Sequence, residues 1–288
     1  MNTNINFPHL HLFFENVGQS IQIGSFPIAF YGIIISIAIL VGISIALHEA
    51  KRTGQKEEDY LDLAIFAVVF SIVGARLYYV IFSWDRYKND LLSILNLREG
   101  GLAIFGGIIA AVITAFLVAK YKKMHAGTML DTACMGLVAG QIIGRWGNFF
   151  NREAFGGYTD SLFAMQIPID AVRENDITKS ILDHTVVLKG IEYIQVHPTF
   201  LYESVWNVGV LVILFFFRKK KAFEGEVFIL YLTLYSLGRF WIEGLRTDQL
   251  QILNTNIAVS QLLSALLVVA GTGTILYMRF FRNRKKQA

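Results

Sequence analysis

Residues 131–157 read DTACMGLVAGQIIGRWGNFFNREAFGG. The first half would be at home in a lipid bilayer. The second half ends that run with Arg145, Asn148, Asn151, Arg152 and Glu153, interleaved with aromatics and glycines. Glycine at this density suits neither a regular helix nor a strand; it suits backbone that must come close to something. The stretch reads as a membrane span that closes in a polar site.

The rest of the chain agrees. Of its 288 residues, 54% are hydrophobic and 17% charged, against about 25% charged in soluble domains, and the mean hydropathy is +0.49. A bilayer core needs about 20 mostly apolar residues per helix. Seven stretches qualify, at about 26–47, 61–83, 102–119, 129–146, 200–217, 226–242 and 257–278. They predict an all-α polytopic membrane protein of seven transmembrane helices, a single integral membrane domain over 1–288. The fourth and sixth spans are the least apolar and carry the unexpected polar residues.

Fifteen Lys and Arg follow the first, third, fifth and seventh spans; eight lie in the longer segments opposite, and none in the first 25 residues. The positive-inside rule then places the N-terminus outside and the C-terminus in the cytoplasm. The charge of +4 marks membrane flanks rather than a nucleic-acid partner. The long connection of about 147–199 falls on the outer face. In it VVLKGIEYIQV predicts two strands around Lys189-Gly190, and LFAMQIPID shows partial alternation. A small, partly β extracytoplasmic cap over 157–196 is expected between helices 4 and 5.

The N-terminus, MNTNINFPHLHLFFENVGQS, has no Lys or Arg and no small-residue cleavage site, unlike a signal peptide. It is expected to lie on the membrane by Phe7, Leu10, Phe13 and Phe14, or to fray. Cys134, the single cysteine, sits in an apolar run and reads as a small buried apolar residue.

A charge inside a span costs roughly 2.5–3.5 kcal/mol, so each needs a reason. Arg76, Arg145 and Arg239 lie in or at the ends of spans. For Arg76, snorkelling to the headgroups is one reading. Tyr235, Arg239 and Glu243 recur at four-residue spacing, a polar stripe on one helical face that Arg246 extends. Arg145 and Arg239 fall near the outer ends of their spans, where bidentate guanidinium groups suit a phospholipid phosphate. In HPTFLYES, residues 197–204, Pro198 marks a helix start; Glu203 is expected to pair with an arginine of another span. The Gly pairs of EGGLAIFGG, residues 99–107, fit close helix packing or approach of a ligand. No internal repeat supports an inverted-repeat transporter, and no zinc, Ser/His or paired-Asp protease constellation is present. A non-catalytic scaffold with structural ion pairs is the remaining rival.

The motif GRWGNFFNREAFGG strongly resembles the signature of the prolipoprotein diacylglyceryl transferase family. FYGIIIS, VGARLYYVIF, REGGLAIFGG, HPTFLYES and YSLGRFWIEGLRTD resemble other segments of that family, in its order, from about residue 28 to 248. The resemblance implies a bacterial plasma-membrane enzyme with its active site toward the extracytoplasmic face. It implies transfer of the diacylglyceryl group of phosphatidylglycerol to the lipobox cysteine thiol of a preprolipoprotein, with no metal or soluble cofactor. A thioether forms and glycerol 1-phosphate leaves. Membrane lipids are the other expected partners. Arg145, Asn148, Asn151 and Glu153 match signature positions, with Gly156 among its glycines; Tyr31, Tyr235 and Glu243 match positions that shape the site. The catalytic set expected is Arg145, Arg239, Glu243 and Tyr235; the substrate-binding set is Arg145, Asn148, Asn151, Glu153, Gly156, Tyr31 and Arg246. One departure stands out: Phe105 occupies a position where many members carry histidine.

Overall fold

The apolar runs fold as helices, which satisfy their own backbone hydrogen bonds where no water is available. The computed structural model describes residues 3–97, 100–252, 255 and 257–287, with backbone alone for 281–287. Two short strands, Ile5–Phe7 (β1) and Leu12–Phe14 (β2), precede a hairpin of Ser20–Ile23 (β3) and Phe26–Ala29 (β4). Phe30–Arg52 (α1), Glu57–Phe82 (α2), the short Trp84–Tyr87 (α3), Ile104–Tyr121 (α4), Ala126–Gly144 (α5) and Trp146–Asn151 (α6) follow. Met165–Pro168 (β5), Lys179–Leu182 (α7), Val186–Leu188 (β6) and Ile191–Val196 (β7) form the insertion. Thr199–Phe217 (α8), Glu226–Glu243 (α9) and Val259–Gln287 (α10) complete the chain.

Six helical stretches among the described residues are long and apolar enough to cross a membrane: α1, α2, α4, α5 continued through α6, α8, and α10 to Phe280. Helix α9 matches the expected sixth span but carries Glu226, Arg239 and Glu243, so its composition falls outside that set. The first span also starts later than expected. Residues 26–29 are strand, paired with 20–23 across a turn in which Gly24 adopts φ +62°. Pro27 has no N–H to give a helix.

By its internal contacts the chain divides into two units, residues 1–42 with 134–288, and residues 43–133. In the second unit α2 and α4 approach at their glycines. A Cβ on Gly74 would lie 2.3 Å from the Ala110 Cβ, and one on Gly106 would lie 2.4 Å from the Gly74 carbonyl oxygen. Close packing therefore explains the second Gly pair of residues 99–107. Phe105, at the start of α4, is 60% exposed. Of the REGG segment, Arg98 and Glu99 lie outside the described residues.

Arg76 does not snorkel. It is buried, and its guanidinium donates to five carbonyls: Ile94 (2.8 Å), Ser93 (2.9 Å), Asn96 (3.0 Å), Gly100 (2.7 Å) and Gly101 (3.0 Å). The charge organises the loop between α3 and α4. Gly100 and Gly101 sit at φ +81° and +78°, and a Cβ on Gly101 would lie 2.4 Å from an Arg76 nitrogen.

In the first unit the expected strands around Lys189-Gly190 form. Both turn residues lie in the left-handed region, φ +52° and +78°, as a two-residue I′ hairpin turn demands. The sheet is larger than expected, with five antiparallel strands in the order β2-β1-β5-β7-β6. From residue 3 on, the N-terminal segment is not frayed, and of the residues expected to lie on the membrane Phe7 enters the sheet core with Leu10 packed against it. Asn6 registers with Gln166, and their side chains bond at 2.6 Å. Arg152, buried and left-handed at φ +54°, donates to the carbonyls of Phe150, Thr3 and Val17, so it ties the N-terminal segment to the end of α6. The sheet core includes Ile5, Ile167, Ile194 and Val196, and takes in Phe149 and Phe155.

The helices of this unit pack through small residues. A Cβ on Gly42 would lie 2.9 Å from the Gly136 oxygen, and one on Gly238 would meet the Trp206 indole at 2.2 Å.

Snorkelling at Arg76 predicts that Arg76→Lys is neutral. The carbonyl clamp predicts otherwise, since an ammonium has three donors in place of five. The expected outcome is a loss of about 3 kcal/mol, the scale of one or two charged hydrogen bonds, read as a lowered midpoint in thermal unfolding of the purified protein.

Candidate active site

Helix α5 ends at Gly144, and Arg145 begins the short helix α6 with φ −61°, ψ −26°. Gly147 lies under the ring of Tyr31 from α1; a Cβ there would be 2.7 Å from the ring. Helix α6 has one apolar and one polar face. Phe149 enters the sheet core, while Asn148 and Asn151 donate to Glu153 Oε1 at 3.1 and 3.2 Å. Arg173, from the insertion, meets Glu153 Oε2 at 3.2 Å. Asn148, Asn151 and Glu153 thus form one knot, closed by a residue the sequence did not single out.

A second group forms around Glu203 on α8. Its carboxylate takes Arg145 Nε on Oε2 at 2.6 Å and Arg239 Nη1 on Oε1 at 2.6 Å. Arg239 also pairs with Glu243 one turn along α9. Arg246 lies 3.8 Å from Glu243 and is bidentate to Asp248, at 2.9 and 2.7 Å. The Tyr235 hydroxyl is a further partner of Arg145, and its ring stacks on Tyr231 at 5.8 Å. Three guanidinium groups thus alternate with three carboxylates. The carboxylates of Glu203 and Glu243 are 5% and 7% exposed, whereas Arg145 and Arg239 keep 23% and 17%. Glu203 and Glu243 sit behind Arg145 and Arg239; at the third pair the order reverses, with Asp248 more exposed than Arg246.

Arg246 and Asp248 lie beyond the end of α9. Burial opposes the charge on both; for Arg246 the Asp248 contact outweighs it and raises the pKa, and for Asp248 the same contact lowers it. The pair is ionised at neutral pH.

Gly156 is a backbone junction. A Cβ there would lie 2.8 Å from both the His197 Cβ and the Leu245 oxygen. Gly156 N–H donates to His197 O (3.0 Å), His197 N–H to Gly157 O (3.1 Å) and Gly157 N–H to Leu245 O (2.8 Å). The close approach this glycine permits is to the chain itself. Gly156 also bridges Arg246, so the junction links the signature loop to the cationic row. The His197 ring meets the Tyr202 hydroxyl at 3.2 Å; burial lowers its pKa, so it is a neutral imidazole at neutral pH. Cys134 is fully buried.

The structure therefore gathers Arg145, Arg239, Glu243, Tyr235 and Arg246 into one group, and Asn148, Asn151 and Glu153 into another, joined through α6. Glu203 was expected only as a structural partner; it is the centre of the first group. The available signal was charge balance, since buried arginines in spans need buried acids.

A family profile for prolipoprotein diacylglyceryl transferase matches residues 19–277. A phosphatidylglycerol–prolipoprotein diacylglyceryl transferase of Clostridioides difficile is 40% identical over 251 residues, 87% of this chain and 91% of that protein. The protein of the same name from Listeria monocytogenes (serovar 1/2a) is 41% identical over 264 residues, 92% of this chain and 90% of its own length. That of Clostridium botulinum (strain Langeland) is 40% identical over 262 residues, 91% and 94% of the two chains. Likeness of this extent settles the kinship: the chain belongs to the prolipoprotein diacylglyceryl transferase family and is a multi-pass membrane transferase.

Proposed function

We propose that this chain transfers the diacylglyceryl group of phosphatidylglycerol to the lipobox cysteine thiol of a prolipoprotein, in a bacterial plasma membrane. Family membership supports the reaction, and the names of the relatives supply both substrates. The observation that carries the site assignment is the Glu203 carboxylate holding Arg145 and Arg239 side by side. In this reading α9 also crosses the membrane, as the sixth of seven spans. The pairing of Arg239 with Glu203 and Glu243 lowers the cost of inserting it. The distribution of Lys and Arg supports an outer N-terminus and a cytoplasmic C-terminus. Residues 157–196 then form an extracytoplasmic cap on one membrane-embedded protein, and the site faces outward.

Arg145 and Arg239 receive the phosphodiester on the nitrogens that Glu203 and Glu243 leave available. The substrate sulfur attacks the glyceryl carbon that carries the phosphate. A carbon–sulfur bond forms, the carbon–oxygen bond breaks, and charge grows on the departing phosphate. Guanidinium groups already fixed in place stabilise that charge without reorganising. In net terms the thiol hydrogen ends on the released glycerol phosphate. A thiol of pKa about 8.5 gains thiolate character beside such cations. The Phe105 side chain has no proton acceptor, so no base is drawn from that position. Tyr235, through Arg145, and Glu243, through Arg239, orient the arginines. Asn148, Asn151, Glu153, Gly156, Tyr31 and Arg246 shape the headgroup and peptide sites.

Reconstitution tests the proposal. Purified protein, phosphatidylglycerol and a synthetic peptide with one lipobox cysteine are expected to give a peptide heavier by one diacylglyceryl unit, with glycerol phosphate released. Arg239→Ala is expected to give neither. An unmodified peptide alongside folded wild-type protein would overturn the proposal. Arg145→Lys replaces a fork with a point charge and is expected to lower turnover by about 10²–10³-fold, measured in the same assay; near-normal turnover would remove Arg145 from phosphate binding. Glu203→Gln leaves two buried guanidinium groups without their shared carboxylate. It is expected to cost about 3–5 kcal/mol of stability, read by thermal unfolding.

A further inference from the structure

Residues 16–47 contain no Asp, Glu, Lys, Arg or His. The second half of that stretch is the apolar body of α1; the first half is the β3–β4 hairpin. In the hairpin Ile21 pairs with Ile28, and Ile23 with Phe26. Directly opposed residues share a face, and so do residues two apart along a strand. Ile21, Ile23, Phe26 and Ile28 therefore form one continuous apolar face, while Ser20, Gln22, Pro27 and Ala29 form the other. Ile23 and Phe26 are 61% and 56% exposed, and Ile21 and Ile28 are exposed too. A lone two-stranded hairpin is marginal in water, and this one has no charged side chain to keep its apolar face apart from other surfaces.

Its position says what covers that face. Strand β4 ends at Ala29 and α1 starts at Phe30 with no residue between, so the hairpin is the direct continuation of a membrane-crossing helix. The hydrocarbon core is closed to it, because a two-stranded ribbon has two unpaired edges whose N–H and C=O groups need partners. The interface is open to it: there the edges reach headgroups and water while four apolar side chains reach acyl chains. We infer that the β3–β4 hairpin is an interfacial anchor whose Ile21, Ile23, Phe26 and Ile28 lie in the phospholipid leaflet beside the end of α1. Tyr31 follows the hairpin by two residues and holds its ring over Gly147. The anchor therefore sets the depth at which α6 meets the leaflet. The placement needs only that α1 crosses the membrane and is independent of the proposed reaction.

The test uses the full chain in lipid nanodiscs, with Cys134→Ala so that single cysteines can be spin-labelled at Ile23→Cys and Gln22→Cys. Collision with oxygen reports lipid, and collision with a nickel chelate reports water. At Ile23 the ratio of oxygen to nickel accessibility is expected to exceed that at Gln22 several-fold. Equal nickel access at the two positions would put the face in water and overturn the inference. Shielding of Ile23 from both reagents would mean that protein, such as a second copy of the chain, covers it, and would overturn it equally. Phe26→Trp gives a label-free check: quenching by brominated phospholipid is expected, and its absence would count against the anchor.

Discussion

The Glu203 carboxylate pairs with one arginine at each oxygen, Arg145 from the α5–α6 junction and Arg239 from α9. Two guanidinium groups brought this close would otherwise repel. Like charges about 4 Å apart cost about 4 kcal/mol even at an effective dielectric of 20. One acid on a third helix converts that repulsion into attraction and fixes α6, α8 and α9 with respect to one another. Everything else in the row follows. Glu243 takes the second face of Arg239, and Asp248 takes Arg246. The row carries three positive and three negative groups, so it is electrically balanced before any ligand arrives and does not depend on a ligand to assemble.

The interleaved chemistry of the signature stretch has a simple division of labour. Phe149 and Phe155 go into the sheet core with Ile5, Ile167 and Ile194. Of the polar residues, Asn148 and Asn151 turn toward Glu153, Arg145 toward Glu203, and Arg152 toward main-chain carbonyls. Aromatics and amides alternate because the segment is a boundary between the sheet core and the charged cluster, and it belongs to both. The left-handed backbone at Arg152 and Ala154, φ +54° and +58°, lets the chain reverse direction between the two. At Arg152 the cost of that conformation is offset by carbonyl contacts that reach back to Thr3 and Val17.

What the sequence disclosed follows from how local each signal is. The apolar runs were legible because length and hydropathy are properties of the run itself. The Tyr235–Arg239–Glu243 stripe was legible because helical spacing is local, and so was the Lys189-Gly190 turn. The strand at 5–7 was not, because it pairs with a segment about 160 residues away, and the strand at 12–14 was not, because it builds on that one. Residues 26–29 merged with the first span because an apolar strand and an apolar helix start have the same composition; only the Gly24-Ser25 turn distinguishes them. Snorkelling stayed open as a reading of Arg76 because its five carbonyl partners are main-chain atoms, which leave no mark in a sequence. Glu203 was visible but undervalued, since its importance lies in joining two arginines that are 94 positions apart in the chain.

The backbone junction at Gly156 has a mechanical consequence. Main-chain bonds there sew together the signature loop, the end of β7 and the turn after α9, and Thr247 N–H adds one more to Phe155 O at 3.4 Å. These three segments are not expected to loosen one at a time, because freeing any one of them removes main-chain partners from the others. Opening is therefore all-or-none. The sheet and the Arg246 turn are expected to exchange their amide protons as one cooperative body rather than as a flexible flap.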